Sequence, residues 1–257
     1  MLVGPFAASD GHGLLIVNTD GSLAERSGNG LTIFSQFLVD TGREVGSRVF
    51  VRVHHDRSQP VPATIEPAEQ RGAHGFWIDM GVPAFGPNAV EATLECLDAS
   101  HFHGREVSRV FALQEVDADW IHSQFVSVGN PHCVTFLQSE TALASLDQRA
   151  SALNESLRAI AYSSSSGAAR GKGQPCRHGV NLQWAFVHDD RTLAARVFER
   201  GEGWTKSLGT SATAVASAAR HLGLTTASTV HVVMPGGVAP VRFEREQVML
   251  FGEARRT

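Results

Sequence analysis

An α+β fold in two similar lobes is predicted from three observations. Strand-like runs far outnumber helical ones, two helices start at matching glycine turns, and a chain of 257 residues with 42% hydrophobic content can fill one large core or two smaller ones. The strand runs come in order as "RVFVRVHH" (48–55), "GFWIDMG" (75–81), "AVEATLECLDA" (89–99), "REVSRVFAL" (105–113), "SQFVSVGNPHCVTFL" (123–137), "NLQWAFVHDD" (181–190), "TLAARVFER" (192–200) and "STVHVVM" (228–234). Each alternates or runs apolar between Gly, Pro, Asp and Asn breakers, the pattern of half-buried or buried strands. Helical spacing appears in three places: Ile33, Phe34, Phe37 and Leu38; Leu143, Leu146, Leu153, Leu157 and Ile160; and the small-residue stretch 212–222. The run "SSSSGAARGKG" (163–173) has no apolar anchor and reads as a loop. Its "GAARGK" is one residue short of a phosphate-binding loop, and Gly173 stands where a hydroxyl would meet magnesium.

Charge and composition exclude several function classes. A formal net charge of −4, with Lys and Arg scattered, offers no basic surface for nucleic acid. No apolar run approaches the roughly 18 residues of a membrane span, and no leader pattern follows Met1. A cytoplasmic location without membrane contact is the expectation. Cys96, Cys133 and Cys176 are an odd set without metal-type spacing, expected as reduced thiols. The two His of "HFH" (101–103) lack a third ligand, so no metal is expected.

The two special turns echo one another. "SGNGLTIFSQFL" from Ser27 and "LGTSATAVASAA" from Leu208 both read x-Gly-polar-small and then a helix, after the turn-rich "NTDGSLAER" and "ERGEGWTKS". Two helix N-termini facing one cleft would present orphan N–H groups and two positive dipole ends to a carboxylate. Each turn alone is also explained by ordinary capping, through Asn29 and through Thr210 or Ser211. The pairing favours the anion site.

"NTDGSLAERSGNG", "GNPHCVTF", "GVNLQWA" and "ERGEGWTKSLGTSATA", with the late "PGG" (235–237) and "LFGEA" (250–254), resemble the diaminopimelate epimerase family in order and spacing from about Gly11 to Ala254. The resemblance implies two lobes, each a curled, mostly antiparallel and barrel-like sheet around a central helix, divided here as 1–116 and 117–257. It also implies an amino-acid-derived substrate between the lobes, no cofactor, and assembly as a homodimer. The family's polar contacts match Asn18, Gly28, Asn29, Asn130, Asn181, Glu199, Arg200, Gly209 and Thr210. Asn and Glu at strand ends suit an ammonium group, and Arg200 either orients a carboxylate or pairs with Glu199. For Asn18, Asn181, Glu199 and Arg200 the alternative is that they only tie turns together.

The family's chemistry is a two-base inversion at Cα by a thiol before each helix-turn glycine. Those positions hold Ser27 and Leu208 here. A serine hydroxyl is a far weaker acid and leucine has no proton to give, so the two-thiol mechanism is absent. Ser27 and His132 remain candidate catalytic groups, with His132 equally able to brace its loop. Glu25, Lys206 and a displaced Cys176 are further candidates, each with a bland solvated or buried alternative. The family's opening strand-rich segment and closing strand are missing, so the first lobe is expected to be smaller and more open. Three functions are open: a cofactor-independent isomerase or cyclase acting on a small amino-acid-derived carboxylate, a non-catalytic amino-acid binder or inactive paralogue, and an epimerase or racemase with a displaced base.

Overall fold

The computed structural model describes residues 1–8, 11–17, 21, 23, 24, 26–43, 46–56, 59–70, 72–163, 171–206 and 209–254. The chain runs β1 (Leu2–Ala8), β2 (Gly11–Ile16), α1 (Gly28–Asp40), β3 (Val49–His54), β4 (Val61–Gln70), β5 (Ala73–Asp79) and β6 (Ala84–Phe85). Then come β7 (Leu97–Phe102), β8 (Arg105–Val110), α2 (Phe111–Val116), β9 (Ser123–Ser127), β10 (Pro131–Phe136) and α3 (Glu140–Ala161). The last part holds β11 (Asn181–Asp189), β12 (Thr192–Glu199), β13 (Gly203–Thr205), α4 (Gly209–His221), β14 (Thr229–Met234), β15 (Gly237–Glu244) and β16 (Gln247–Gly252).

The α+β class holds, with several corrections to the strand reading. Residues 87–96 form two 3-10 turns, Pro87–Val90 and Leu94–Cys96, not the start of a strand. The run 105–113 ends as a strand at Val110 and turns into α2. The run 123–137 is a hairpin, because Gly129 at φ 89° lets the chain reverse between β9 and β10. Strands β1, β2, β4, β6, β13, β15 and β16 lie outside the predicted runs, since shortness, Gly and Pro residues or mixed polar faces hide the alternation. The loop expected at 163–173 falls largely outside the described residues.

One sheet carries the order β1-β2-β3-β4-β5-β16-β15-β14-β12-β11-β10-β9-β8-β7, with β13 added to β12 and β6 to β9. Its connectivity repeats. β2 leads through α1 to β3, parallel to β2, and then to antiparallel β4 and β5. β12 leads through α4 to β14, parallel to β12, and then to antiparallel β15 and β16. The repeats are joined where β5 and β16 pair antiparallel, Asp79 opposite Met249. Strands β6 to β8, although they precede residue 117, extend the sheet beyond β9.

This seam positions the two special helices. A single contiguous core, including Leu14, Phe34, Ile78, Val215, Val241 and Leu250, wraps both α1 and α4. The small residues of α4 let it run through this core with Ser211 to Ala219 wholly buried. α1 is enclosed on one side: Phe34 and Leu38 are buried, while Ile33 and Phe37, one turn apart, are exposed. Where α1 crosses β16, a Cβ on Gly252 would overlap the Thr32 side chain, so only glycine permits that approach. α3 lies on a second core, capped by Ser139 and anchored by Leu143, Leu146, Leu153, Leu157 and Ile160 as their spacing predicts.

Candidate functional site

The first turns of α1 and α4 meet. A Cβ built on Gly28 would lie 3.4 Å from the Cα of Gly209, and one on Gly209 would lie 3.7 Å from the backbone N of Asn29. Both glycines are buried, and Asn29 stands exposed beside them with its Oδ1 3.4 Å from that second Cβ position. Thr210 is half-buried. The first turns of the two helices therefore meet at one junction, where the Leu250 side chain packs against Gly28 and the Asn29 side chain beside Gly209.

Ser27 supplies the cap of α1. It is extended, at φ −149° and ψ 116°, and its Oγ accepts from Gly30 N at 3.1 Å. Capping by Asn29 is corrected accordingly, since Asn29 lies within the helix. The hydroxyl thus takes one of the four orphan donors of the first turn, leaving the amides of Gly28 and Asn29 for a ligand. Arg26, which the sequence reading passed over, anchors this turn. It donates to the carbonyls of Asp79 at 2.6 Å and Pro62 at 2.9 Å, and its guanidinium lies 3.7 Å from the buried carboxylate of Asp79. Its place directly before the turn was the available signal.

Behind α4 runs a buried polar chain. His132 is fully buried, with Nε2 2.8 Å from Asn130 Oδ1 and Nδ1 2.7 Å from the Gln183 amide. A neutral ring carries one N–H, so it donates at one of these two contacts and accepts at the other. Ser211 Oγ lies 3.3 Å from the same end of Gln183. Burial, reinforced by the nearby Arg200 charge, pushes the His132 imidazole down to about 3, so it is neutral. The chain links three sequence motifs and ends in the first turn of α4. Gln183 follows Asn181 by two residues on one strand, which is how alternation would have found it.

The remaining expected contacts cluster at the end of β12. Buried Asn181 accepts from Arg200 N at 2.8 Å through Oδ1, and Arg200 Nη1 donates to the His178 carbonyl at 2.8 Å. Glu199 is half-buried at the strand's last position. Asn18, Glu25 and Leu208 lie outside the described residues. Burial pushes the Cys133 and Cys176 thiols up to about 12, which makes both poor nucleophiles.

A sequence profile of the diaminopimelate epimerase family matches residues 124–257. Diaminopimelate epimerase of Archaeoglobus fulgidus is 31% identical over 242 residues, covering 93% of this chain and 71% of the relative. The chain belongs to the diaminopimelate epimerase family. The enzyme of Xanthomonas axonopodis is 30% identical over 241 residues, covering 93% of this chain and 72% of its own. Among solved structures, a phenazine biosynthesis protein of the PhzF family from Bacillus anthracis has a TM-score of 0.60 at 12% identity, covering 96% of this chain and 79% of its own. A hydroxyproline epimerase from Agrobacterium vitis, with bound trans-4-hydroxy-L-proline, has a TM-score of 0.55 at 12% identity, covering 97% of this chain and 70% of its own. These likenesses establish the fold of an epimerase-family protein with isomerase-type relatives. No described helix is long and apolar enough to cross a membrane.

Proposed function

We propose that this family member holds a small amino-acid-derived carboxylate between the N-termini of α1 and α4 and acts on it as a cofactor-independent isomerase or cyclase without a thiol pair. The observation that carries the reading is the approach of Gly28 to Gly209, which brings two orphan-amide turns to one point. An anion there meets backbone donors from both helices. Asn130, Asn181, Glu199 and Arg200, on neighbouring strand ends, supply the polar surround for an ammonium group or a second carboxylate. Asn18 belongs to the same proposal by its place in the motif.

The acid–base chemistry differs from a two-thiol inversion. Ser27 spends its hydroxyl oxygen on Gly30 N, and the buried neutral His132 is tied to Asn130 and Gln183. We therefore assign His132 to positioning α4 and the Asn130 loop. Glu199 supplies a carboxylate, and one carboxylate suffices for a one-base shift: it takes a proton from one carbon and returns it to another of the same substrate. Neither Ser27 nor Leu208 delivers a proton to the opposite face, and loss of a general acid or base commonly costs about 10²–10⁴-fold. Diaminopimelate is accordingly not expected to be epimerised at a physiological rate.

The competing reading, an inactive amino-acid binder, is favoured by the Ser27 cap, which stabilises the turn while removing the acid. Incubation in heavy water with a panel of L- and D-amino acids and related carboxylates separates the readings. Conversion to a new isomer or cyclised product, with the migrating hydrogen either retained or exchanged for solvent deuterium, supports the proposal. Binding with neither exchange nor conversion supports the binder, and exchange with inversion at Cα supports a displaced base. Robust epimerisation of diaminopimelate by the unmodified protein would falsify the assignment of Ser27 and Leu208 as non-catalytic. The variant carrying Ser27→Cys with Leu208→Cys tests whether the scaffold still supports the two-thiol reaction.

A further inference from the structure

A cavity of about 570 Å³ opens at the C-terminal end of α4. The helix has 13 residues, so the cavity lies about 20 Å from the α1–α4 junction. Its lining combines the apolar Phe102, Leu137, Val187 and Leu222 with the polar His103, Arg105 and Gln138. Among the described residues no carboxylate lines it. The volume falls in the range of small-molecule sites.

The place of His103 and Arg105 is fixed by backbone geometry. His103 at φ 49° and Gly104 at φ 75° form a two-residue turn between β7 and β8, opposite the pairing of Phe102 with Arg105. A non-glycine residue with positive φ is uncommon, and here it sets His103 and Arg105 side by side at the cavity mouth. The facing wall is the end of α4, where Gly223 N bonds to the Arg220 carbonyl and Leu224 N to that of Ala219. A Cβ at Gly223, whose φ is 68°, would sit 3.4 Å from Arg105 Nη2. No carboxylate pairs with Arg105 among the described residues.

We infer that this cavity binds an apolar monocarboxylate, its hydrocarbon body on Phe102, Leu137, Val187 and Leu222 and its carboxylate at Arg105. An apolar lining with one unpaired guanidinium suits such an acid, and a neutral analogue of equal size loses the charge-assisted contact. The site is separate from the α1–α4 junction and independent of what that junction does.

The probes are phenylacetate, hexanoate and their primary amides, titrated calorimetrically against the full chain. The acids are expected to bind at least about tenfold tighter than the amides. Arg105→Gln, an exposed position that leaves the core intact, should bring acid and amide to the same affinity. Val187→Trp should fill the cavity and abolish binding, whereas Gly209→Val, at the opposite end of α4, should leave it unchanged. Equal binding of acid and amide, or an acid preference that survives Arg105→Gln, overturns the inference. So does binding lost in Gly209→Val but kept in Val187→Trp, which would place the acids between the lobes. Absence of saturable binding overturns it too, including the case where self-association of the chain is abolished by Val187→Trp and a second copy covers the cavity.

Discussion

Gly28→Ala and Gly209→Ala should differ in stability although both substitutions enter the first turn of a helix. Replacing glycine by alanine in a helix gains roughly 0.5–1 kcal/mol by lowering the entropy of the unfolded chain. Neither glycine has positive φ, so that gain applies to both. The surroundings differ. A Cβ on Gly28 falls 2.6 Å from Leu250 Cδ2, an overlap, whereas the nearest atom to a Cβ on Gly209 is Asn29 Oδ1 at 3.4 Å, an ordinary contact. Leu250 is only 3% exposed and has little room to move, so the overlap costs about 1–3 kcal/mol. Gly209→Ala is therefore expected to be neutral or slightly stabilising and Gly28→Ala less stable than it by about 1–3 kcal/mol. For a chain of this size that separates the melting temperatures by about 2–10 °C. Thermal melts and urea titrations of both variants measure the difference. A cycle with Leu250→Ala locates its cause: truncation is destabilising alone, by about 2–5 kcal/mol, but should relieve most of the Gly28→Ala penalty. A Gly28→Ala protein as stable as Gly209→Ala, or a cycle with no coupling to Leu250, would refute the close meeting of α1 with β16 and α4.

Three further outcomes are expected. Because the folded imidazole of His132 is held down to about 3 against an ordinary 6.5, the unfolded chain takes up its proton first as pH falls. Its contribution to stability is complete above pH 6.5 and is lost toward pH 3, at up to about 1.4 kcal/mol per pH unit; NMR should show a neutral ring at pH 5, and titration near 6.5 would contradict its burial. Alkylation by iodoacetamide followed by mass mapping should modify Cys96 first, since Cys133 and Cys176 are buried with thiols pushed up to about 12. Arg26→Met should destabilise the chain by about 3 kcal/mol in denaturant titrations by stranding the buried Asp79, and a change under 1 kcal/mol would mean that Arg26 does not anchor the turn.

The sequence by itself determined the two helix-turn glycines, the apolar stripe of α3, the small-residue character of α4 and most strands, because each is a local periodicity or a short pattern. It also determined the family, since four motifs recur in fixed order. What only the tertiary structure decided depends on contacts between distant segments. The pairing of β5 with β16 makes the two β-α-β-β-β units one sheet and brings Gly28 against Gly209, 181 positions apart in "SGNG" and "LGTS". Ser27 rather than Asn29 caps α1, because Oγ geometry and not residue preference selects the acceptor. His132 proved neutral and enclosed for a similar reason. Its partners Asn130 and Gln183 come from the β9–β10 turn and from β11, and only the antiparallel and parallel registers of β10 with β9 and β11 bury the imidazole away from solvent. Ile33 and Phe37 have the helical spacing of a core stripe yet face outward, because spacing fixes which residues share a helix face, while the neighbouring elements fix whether that face is covered.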